Sequence, residues 1–464
     1  MMNEKAAWRN WLNPTEWWKL IVLTMPLYIA NLTRIGMAVT DTIVAAKAGL
    51  TDLAAVSLGV AIIAPIMMSV GAIVTIVSPM VARLRGASQE SRVCALLCNA
   101  KNLSLWLMLV ELVLLLLASC IFGLVSDDEA MVSTARMYLY LVILNVPASI
   151  MQRVVLGCFE GYRQTWPGMV VFLVALLINI PLNHLFVLGW GPIPAMGGAG
   201  CGLATTIVHW FIFLSLFGIL YAMPSHRAHA RAILAWRHSC SATVKQIFRL
   251  GFPLGVATMC EMGFFGVVML LITPLGSAVM GAQQVAMNIS RLMFTLPLSL
   301  GVAVSIRSAY FAGAGQKKHF DALVRTAFIF TFAVVGILVA LMLHWRHEIV
   351  GKMVGKMESA EIVAELVMVL LIYCAIYQLV DAVQAIVSGL LRGCHDTRVI
   401  TWVNIVSYWF VGLPLAYVFI CTDWVLPPMG AAGAWVSFIA TIFLASICFI
   451  ARFIRTRKAI FFAR

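Results

Sequence analysis

Twelve stretches of about 20 or more mostly apolar residues follow one another along this chain, and no other feature limits its fold so severely. They lie roughly at residues 20–46, 53–80, 94–122, 131–157, 167–189, 201–222, 246–273, 280–308, 322–344, 362–391, 399–421 and 431–453. Coiled into a helix, a run of that length matches the hydrocarbon thickness of a bilayer. Within a bilayer every backbone N–H and C=O must be satisfied inside a helix or around a closed barrel. The two-residue alternation of a barrel is missing, so the runs are expected to be helices. The chain is 62% hydrophobic and 11% charged, against about 45–50% and about 25% in soluble domains. The expected fold class is an all-α integral membrane protein with twelve transmembrane helices.

Lys and Arg concentrate in alternate connections. One set holds Arg83, Arg85, Arg92, Arg163, Arg227, Arg231, Arg237, Lys245, Arg249, Lys317, Lys318, Arg325, Arg392, Arg398, Arg452, Arg455, Arg457 and Lys458. The other holds Lys47, Arg136, Arg346, Lys352 and Lys356, with Asp127, Asp128 and Glu129 among them. Basic loops stay on the cytoplasmic side, so the first set and both termini are expected there. This accounts for the net charge of +13 without nucleic acid as a partner; the expected partner is the lipid of the inner (plasma) membrane. Trp8, Trp11, Trp17 and Trp18 suit an interfacial stretch, and no removable signal peptide is read before them. The eleven cysteines are odd in number, lie mostly in apolar runs and form no CxxC. They read as small core hydrophobes, with no disulfide framework or metal site.

The most polar internal stretch runs from Ala222 to Arg231, at the midpoint, and divides the chain into residues 1–235 and 236–464. The two parts repeat one another. Pro26 matches Pro253 and Gly49 matches Gly276, both 227 residues on. Glu160-Gly161-Tyr162 aligns with Arg392-Gly393-Cys394 at 232, and the stretch Pro194 to Gly200 aligns with Pro427 to Gly433 at 233. Six spans in each part leave both repeats pointing the same way, so two six-helix bundles related by a parallel pseudo-two-fold axis are expected. In carriers of that kind the substrate path runs between repeats, and one repeat rocks against the other.

A carboxylate at mid-membrane depth costs about 2.5–3.5 kcal/mol even on lenient insertion scales, so such residues are functional by default. Asp381 lies deep in the tenth run, four residues after Tyr377 and three after Gln378, on one helix face. Glu261 lies four before Phe265, and Asp41 is the one acid of the first run. Asn179 and Asn183 place two amides on one face of the fifth, while Gln283 and Gln284 open the eighth. Bare carboxylates in low dielectric hold a proton or a cation near neutrality, which is the physical basis of exchange against a cationic solute. Glu111, His184 and His209 read as structural, the histidines satisfying local hydrogen bonds.

At these residues the chain resembles the multidrug and toxic compound extrusion family, in its NorM-like branch. The resemblance is carried by Thr40-Asp41-Thr42, by Arg249-Leu250-Gly251-Phe252-Pro253 leading to Glu261, and by Gln283-Gln284-Val285-Ala286. Gly301 to Arg307, Tyr377-Gln378 through Asp381 to Gln384, and Leu391-Arg392-Gly393 complete it, over nearly the whole length. The resemblance implies a secondary exporter of bulky organic, mostly cationic compounds in exchange for Na+ or H+, working as a monomer with no other cofactor. It implies a cation-coupling site at Glu261, Asp381 and Tyr377, the two acids also being the ligands where Na+ couples. It implies a polar substrate cluster at Asp41, Asn179 and Asn183, and a drug-lining role for Phe265 and Gln284.

Arg34 and Arg291 stand where such members are usually uncharged. Each is expected to pair with an acid, since unpaired buried charge is costly; facing the cavity instead, they would favour an anionic or lipid-linked substrate. A major-facilitator carrier is disfavoured because Arg83-Leu84-Arg85-Gly86 lacks the Asp of that family's signature connection. No HExxH, G-x-S-x-G or phosphate loop points to an enzyme, and a duplication with unequal acid sets suits a carrier better than a pore ring.

Overall fold

The computed structural model describes residues 14–125, 127–235, 240–354, 360–423 and 429–462. Eleven helices among them are long and apolar enough to cross a membrane, and a bent pair makes the twelfth. Spans 1 to 3 are Glu16–Ala48, Leu50–Gly86 and Ser91–Leu124. Span 4 is Glu129–Ile143 with Val146–Gly161, meeting at 44°. Pro147 explains the bend: it brings no N–H to the helical ladder, so the second half starts afresh. Spans 5 to 8 are Trp166–Leu188, Gly198–Ala222, Ser241–Leu275 and Ser277–Ala314. Spans 9 to 12 are Lys317–His344, Ala360–Gly393, Thr397–Cys421 and Ala431–Phe461.

Every expected run is thus a helix, and the described residues contain no strand beyond one isolated bridge, Trp190 to Ile193. Several helices outrun the apolar stretch that marked them: span 2 continues to Gly86 and span 8 to Ala314. Apolarity marks what lies in lipid, whereas the hydrogen-bond ladder continues into polar flanks such as Arg83 and Arg85.

The repeat appears in the backbone. Ser88 and Gly315, 227 residues apart, both end a helix with positive φ, 56° and 67°. Arg163 and His395, 232 apart, do so at 60° and 62°, while Gly197 and Gly430, 233 apart, each precede a helix at 57° and 56°. Met196 N donates to Phe186 O at 2.9 Å, and Met429 N to Phe419 O at 2.9 Å. A Cβ on Gly161 would meet Ser78 O at 3.0 Å, and one on Gly393 would meet Ser305 O at 2.6 Å. These are the same close crossing of small residues, built once in each repeat.

The helices pack as two compact units. One is Met25–Met259; the other is Cys260–Arg464 with the N-terminal residues up to Thr24. These are units of packing, so they do not bear on the division of the sequence into repeats at 235 and 236. In the second unit Arg307 donates to the Glu16 carboxylate, and both side chains are buried.

Span 10 shows how packing positions chemistry. Val363, Val367, Leu371, Cys374, Gln378 and Asp381 are buried at helical spacing, against Phe264, Tyr408, Trp435 and Phe438 of neighbouring helices. Ile362, Val369, Ile372 and Ile376 cover the opposite, exposed face. The stripe that docks the helix therefore also carries its polar residues.

Candidate functional site

Two polar clusters stand out, one in each unit. In the N-terminal unit the cluster centres on Asp41, half-buried on span 1. Asn179 and Asn183 both donate side-chain N–H groups to its Oδ1, at 3.2 and 2.7 Å. Thr205 Oγ1 of span 6 donates to Oδ2 at 3.2 Å. Helical spacing places the two amides together, and Asn183 also donates back to Asn179 O at 3.0 Å. A carboxylate only accepts, so both amides turn their nitrogens toward it. Their Oδ1 atoms are buried with no hydrogen-bond partner among the described residues. The result is a carboxylate held by three neutral donors, with two further acceptor oxygens on the same amides.

In the C-terminal unit, span 10 contributes Asp381, Tyr377, Gln378 and Gln384, all buried. Tyr377 lies one turn before Asp381 on the same helix, and Glu261 of span 7 is a charge that acts on Asp381 through space. Arg392 acts on Glu261 in the same way. Among the described residues no Lys or Arg nitrogen forms an ion pair with either acid. The surroundings are rigid: Gln378 Nε2 donates to Ser290 O and Oγ at 2.8 and 2.9 Å, and Gln384 Nε2 to Tyr408 Oη at 3.1 Å. Trp435 Nε1 donates to Gln283 Oε1 at 2.9 Å, and its ring meets Tyr377 edge-on at 5.6 Å. Hard oxygen donors with no Lys or Arg at ion-pair distance among the described residues can take up a proton or an alkali cation.

The MatE family model matches residues 26–185 and 253–418, one segment in each repeat and more than half the chain together. The chain belongs to the MatE family. "Multidrug resistance protein NorM" of Vibrio vulnificus is 37% identical over 433 residues, covering 90% of this chain and 91% of that protein. "Multidrug resistance protein MdtK" of Edwardsiella ictaluri is 32% identical over 435 residues, covering 92% and 93%. Among solved structures the eukaryotic MATE transporter AtDTX14 superposes with a TM-score of 0.85 at 18% identity, over 98% of this chain and 99% of that one. The MatE fold is therefore shown at full length.

Against this MatE frame the expected site residues divide by unit. Asp41, Asn179 and Asn183 come together in the first, and Glu261, Tyr377 and Asp381 in the second. Phe265 joins the second through Phe438, with ring centroids 5.0 Å apart. Gln284 is exposed and donates to Asn288 Oδ1 at 3.2 Å, a contact that joins it to neither cluster.

One expectation is corrected. Arg34 forms no ion pair with an acid among the described residues; it donates to Asn31 Oδ1 at 3.1 Å and lies over the Phe172 ring at 4.3 Å. Asn31 is one turn away on the same helix, and a ring face stabilises a cation without a second buried charge. Arg291 has no acid at ion-pair distance among the described residues either, and it is exposed. His184 satisfies a local bond, to Ile180 O at 3.0 Å, whereas His209 meets Gln152 Nε2 of span 4 at 3.2 Å, a partner on another helix. Glu111 is 1% exposed, and neither of its oxygens has a hydrogen-bond partner among the described residues.

Thr205 and Tyr408 escaped the sequence reading. A lone threonine among apolar neighbours carries no signal, but Gln384, one turn after Asp381, could have prompted a search for a hydroxyl partner on span 11.

Proposed function

We infer that this chain is a multidrug efflux transporter, a carrier and not an enzyme, which exports bulky organic compounds across the inner membrane in exchange for an inorganic cation. The multidrug resistance names of its relatives, each spanning nearly the whole chain, support the activity. The coupling reading is carried by one observation: Asp381 lies buried on the packed face of span 10, one turn from Tyr377 and acted on by Glu261, with no ion pair to a cation among the described residues. An acid so placed is stable with a proton or Na+ in company, and losing that company as a cationic solute arrives couples the two flows.

In this reading Glu261, Asp381 and Tyr377 bind the coupling ion, with Glu261 and Asp381 as the ligands if the ion is Na+. Asp41, Asn179 and Asn183 form the polar part of the substrate path, and Phe265 and Gln284 line it. No other cofactor is invoked. The chain works as a monomer with both termini cytoplasmic, and the preferred substrates are organic cations. Inverted vesicles given a sodium gradient and a pH gradient separately, with efflux of a cationic dye as the readout, test this. Efflux driven by one gradient and lost in Asp381→Asn supports it; efflux indifferent to both gradients removes it.

Arg34 favours a second reading. Its guanidinium is exposed midway along span 1, with no acid at ion-pair distance among the described residues, and a guanidinium so placed suits a carboxylate or phosphate. The same vesicles loaded with an anionic solute distinguish the two: selective anion export would make the substrate anionic or lipid-linked.

A further inference from the structure

The end of span 4 and the connection after span 6 meet apart from both acidic clusters. Cys158 on span 4, and His226 and His229 at the start of the short helix Arg227–Leu234, are 0%, 1% and 6% exposed. One ligand atom from each lies within 4.8 Å of the others. His226 Nε2 is 2.8 Å from Gln164 Oε1, an amide oxygen that only accepts. His226 therefore carries its proton on Nε2 and turns a bare Nδ1 inward. His229 Nε2 is 3.0 Å from Tyr162 Oη, a hydroxyl able to accept that ring's proton. The two Nδ1 atoms then face one another at 3.4 Å. Two nitrogens bound at about 2.0–2.1 Å in a tetrahedral shell stand about 3.3–3.4 Å apart, which matches this spacing.

We propose that Cys158, His226 and His229 form a binding site for a borderline-soft divalent cation of the Zn2+ class, which clasps the connection between the repeats to the end of span 4. Each histidine then has the partner on its far nitrogen that metal-bound imidazoles require, Gln164 Oε1 for one and Tyr162 Oη for the other. On binding, the Cys158 thiol releases its proton to solvent as the metal–sulfur bond forms. The proton of His229 resides on Nε2 and is donated to Tyr162 Oη, freeing Nδ1. A water completes the fourth position. Arg85, over the Tyr162 ring at 4.2 Å, is held by Glu90 Oε1 at 3.4 Å, so its charge is partly balanced. The histidines follow Cys158 by 68 and 71 residues, which is why no CxxC-type spacing betrays the group.

The test uses the full chain, free of any affinity tag, purified in detergent and titrated with Co2+ and then Zn2+. The expected result is one Co2+ per chain with sulfur-to-metal charge-transfer absorption, displaced by Zn2+. Cys158→Ser abolishes the absorption, while Cys240→Ser, an exposed cysteine, leaves it unchanged. Tyr162→Phe lowers cobalt affinity about 10–100-fold. Wild-type protein without that absorption overturns the proposal, as does absorption that survives Cys158→Ser; either would leave Tyr162, His229, His226 and Gln164 as a plain hydrogen-bond chain. Should the variants fail to fold, X-ray absorption on the zinc-loaded wild type decides. One sulfur and two nitrogen scatterers support the site, and an oxygen-only shell sinks it.

Discussion

Asn183 Nδ2 lies 2.7 Å from Asp41 Oδ1, the tightest of three neutral contacts to that carboxylate. An amide can solvate the charge but cannot cancel it, so the carboxylate stays open to a cationic visitor. Hydrogen bonds to a charged group are worth about 1.5–3 kcal/mol, and Asn183→Leu forfeits the strongest here. The expected outcome is a lower Tm in detergent together with weakened export of cationic dyes. Asp41→Asn should weaken export with less loss of stability, since an amide can still accept from Asn179 and Asn183. Dye-binding and melting measurements on both variants check this, and an Asp41→Asn protein exporting cationic dyes at the wild-type rate would contradict it.

Asp381→Asn and Glu261→Gln are expected to abolish gradient-driven efflux while leaving insertion and folding intact. Both changes keep shape and hydrogen-bonding capacity and remove only the charge that needs company. Dye efflux from energised vesicles, alongside a folding check by size-exclusion chromatography, reads the outcome. Undiminished efflux in both would remove the coupling role.

The fold was legible because bilayer physics writes itself into sequence as length and apolarity, so each of the twelve runs is a helix. The acids were legible for the same reason: Asp41, Glu261 and Asp381 are conspicuous in apolar runs. What the sequence withheld was who meets whom. Asp41 and Thr205 are 164 residues apart, and Arg307 reaches Glu16 across 291. Helical spacing relates residues on one helix and says nothing about two. The expectation for Arg34 failed on that ground, because buried cations were assumed to need acids, whereas Asn31 and the Phe172 ring supply the company.

The buried Arg307–Glu16 pair ties the first turns of span 1 to span 8 within the C-terminal unit. Removing Glu16 strands the buried Arg307, at about 3–5 kcal/mol, whereas removing Arg307 leaves Glu16 with Lys19 Nζ at 3.0 Å. Glu16→Ala is expected to lower Tm strongly and Arg307→Leu less so, and the double variant Glu16→Ala/Arg307→Leu to recover part of the summed loss. A double variant no more stable than the sum of the singles would show that the two side chains act independently.

Gly161 and Gly393 make the same helix crossing in the two repeats, and substitution tests whether the duplicated geometry is under the same constraint. A Cβ at Gly161 would meet Val81 at 2.5 Å and Ser78 O at 3.0 Å; at Gly393 it would meet the Ser308 hydroxyl and Ser305 O. Backbone carbonyls cannot rotate away as a flexible side chain can, so the helices must part. Overpacking of this kind costs about 1–3 kcal/mol. Gly161→Ala and Gly393→Ala are therefore both expected to destabilise, measured as a fall in Tm for each. Gly218 has nothing within 4 Å of its added Cβ. Gly218→Ala should be neutral or stabilising, since Ala in a helix interior is favoured over Gly by roughly 0.5–1 kcal/mol. If Gly161→Ala and Gly393→Ala both behave like Gly218→Ala, the crossings are looser than their distances imply. A loss at one position alone would mean that the two repeats, alike in backbone, have come to depend on their shared crossing to different degrees.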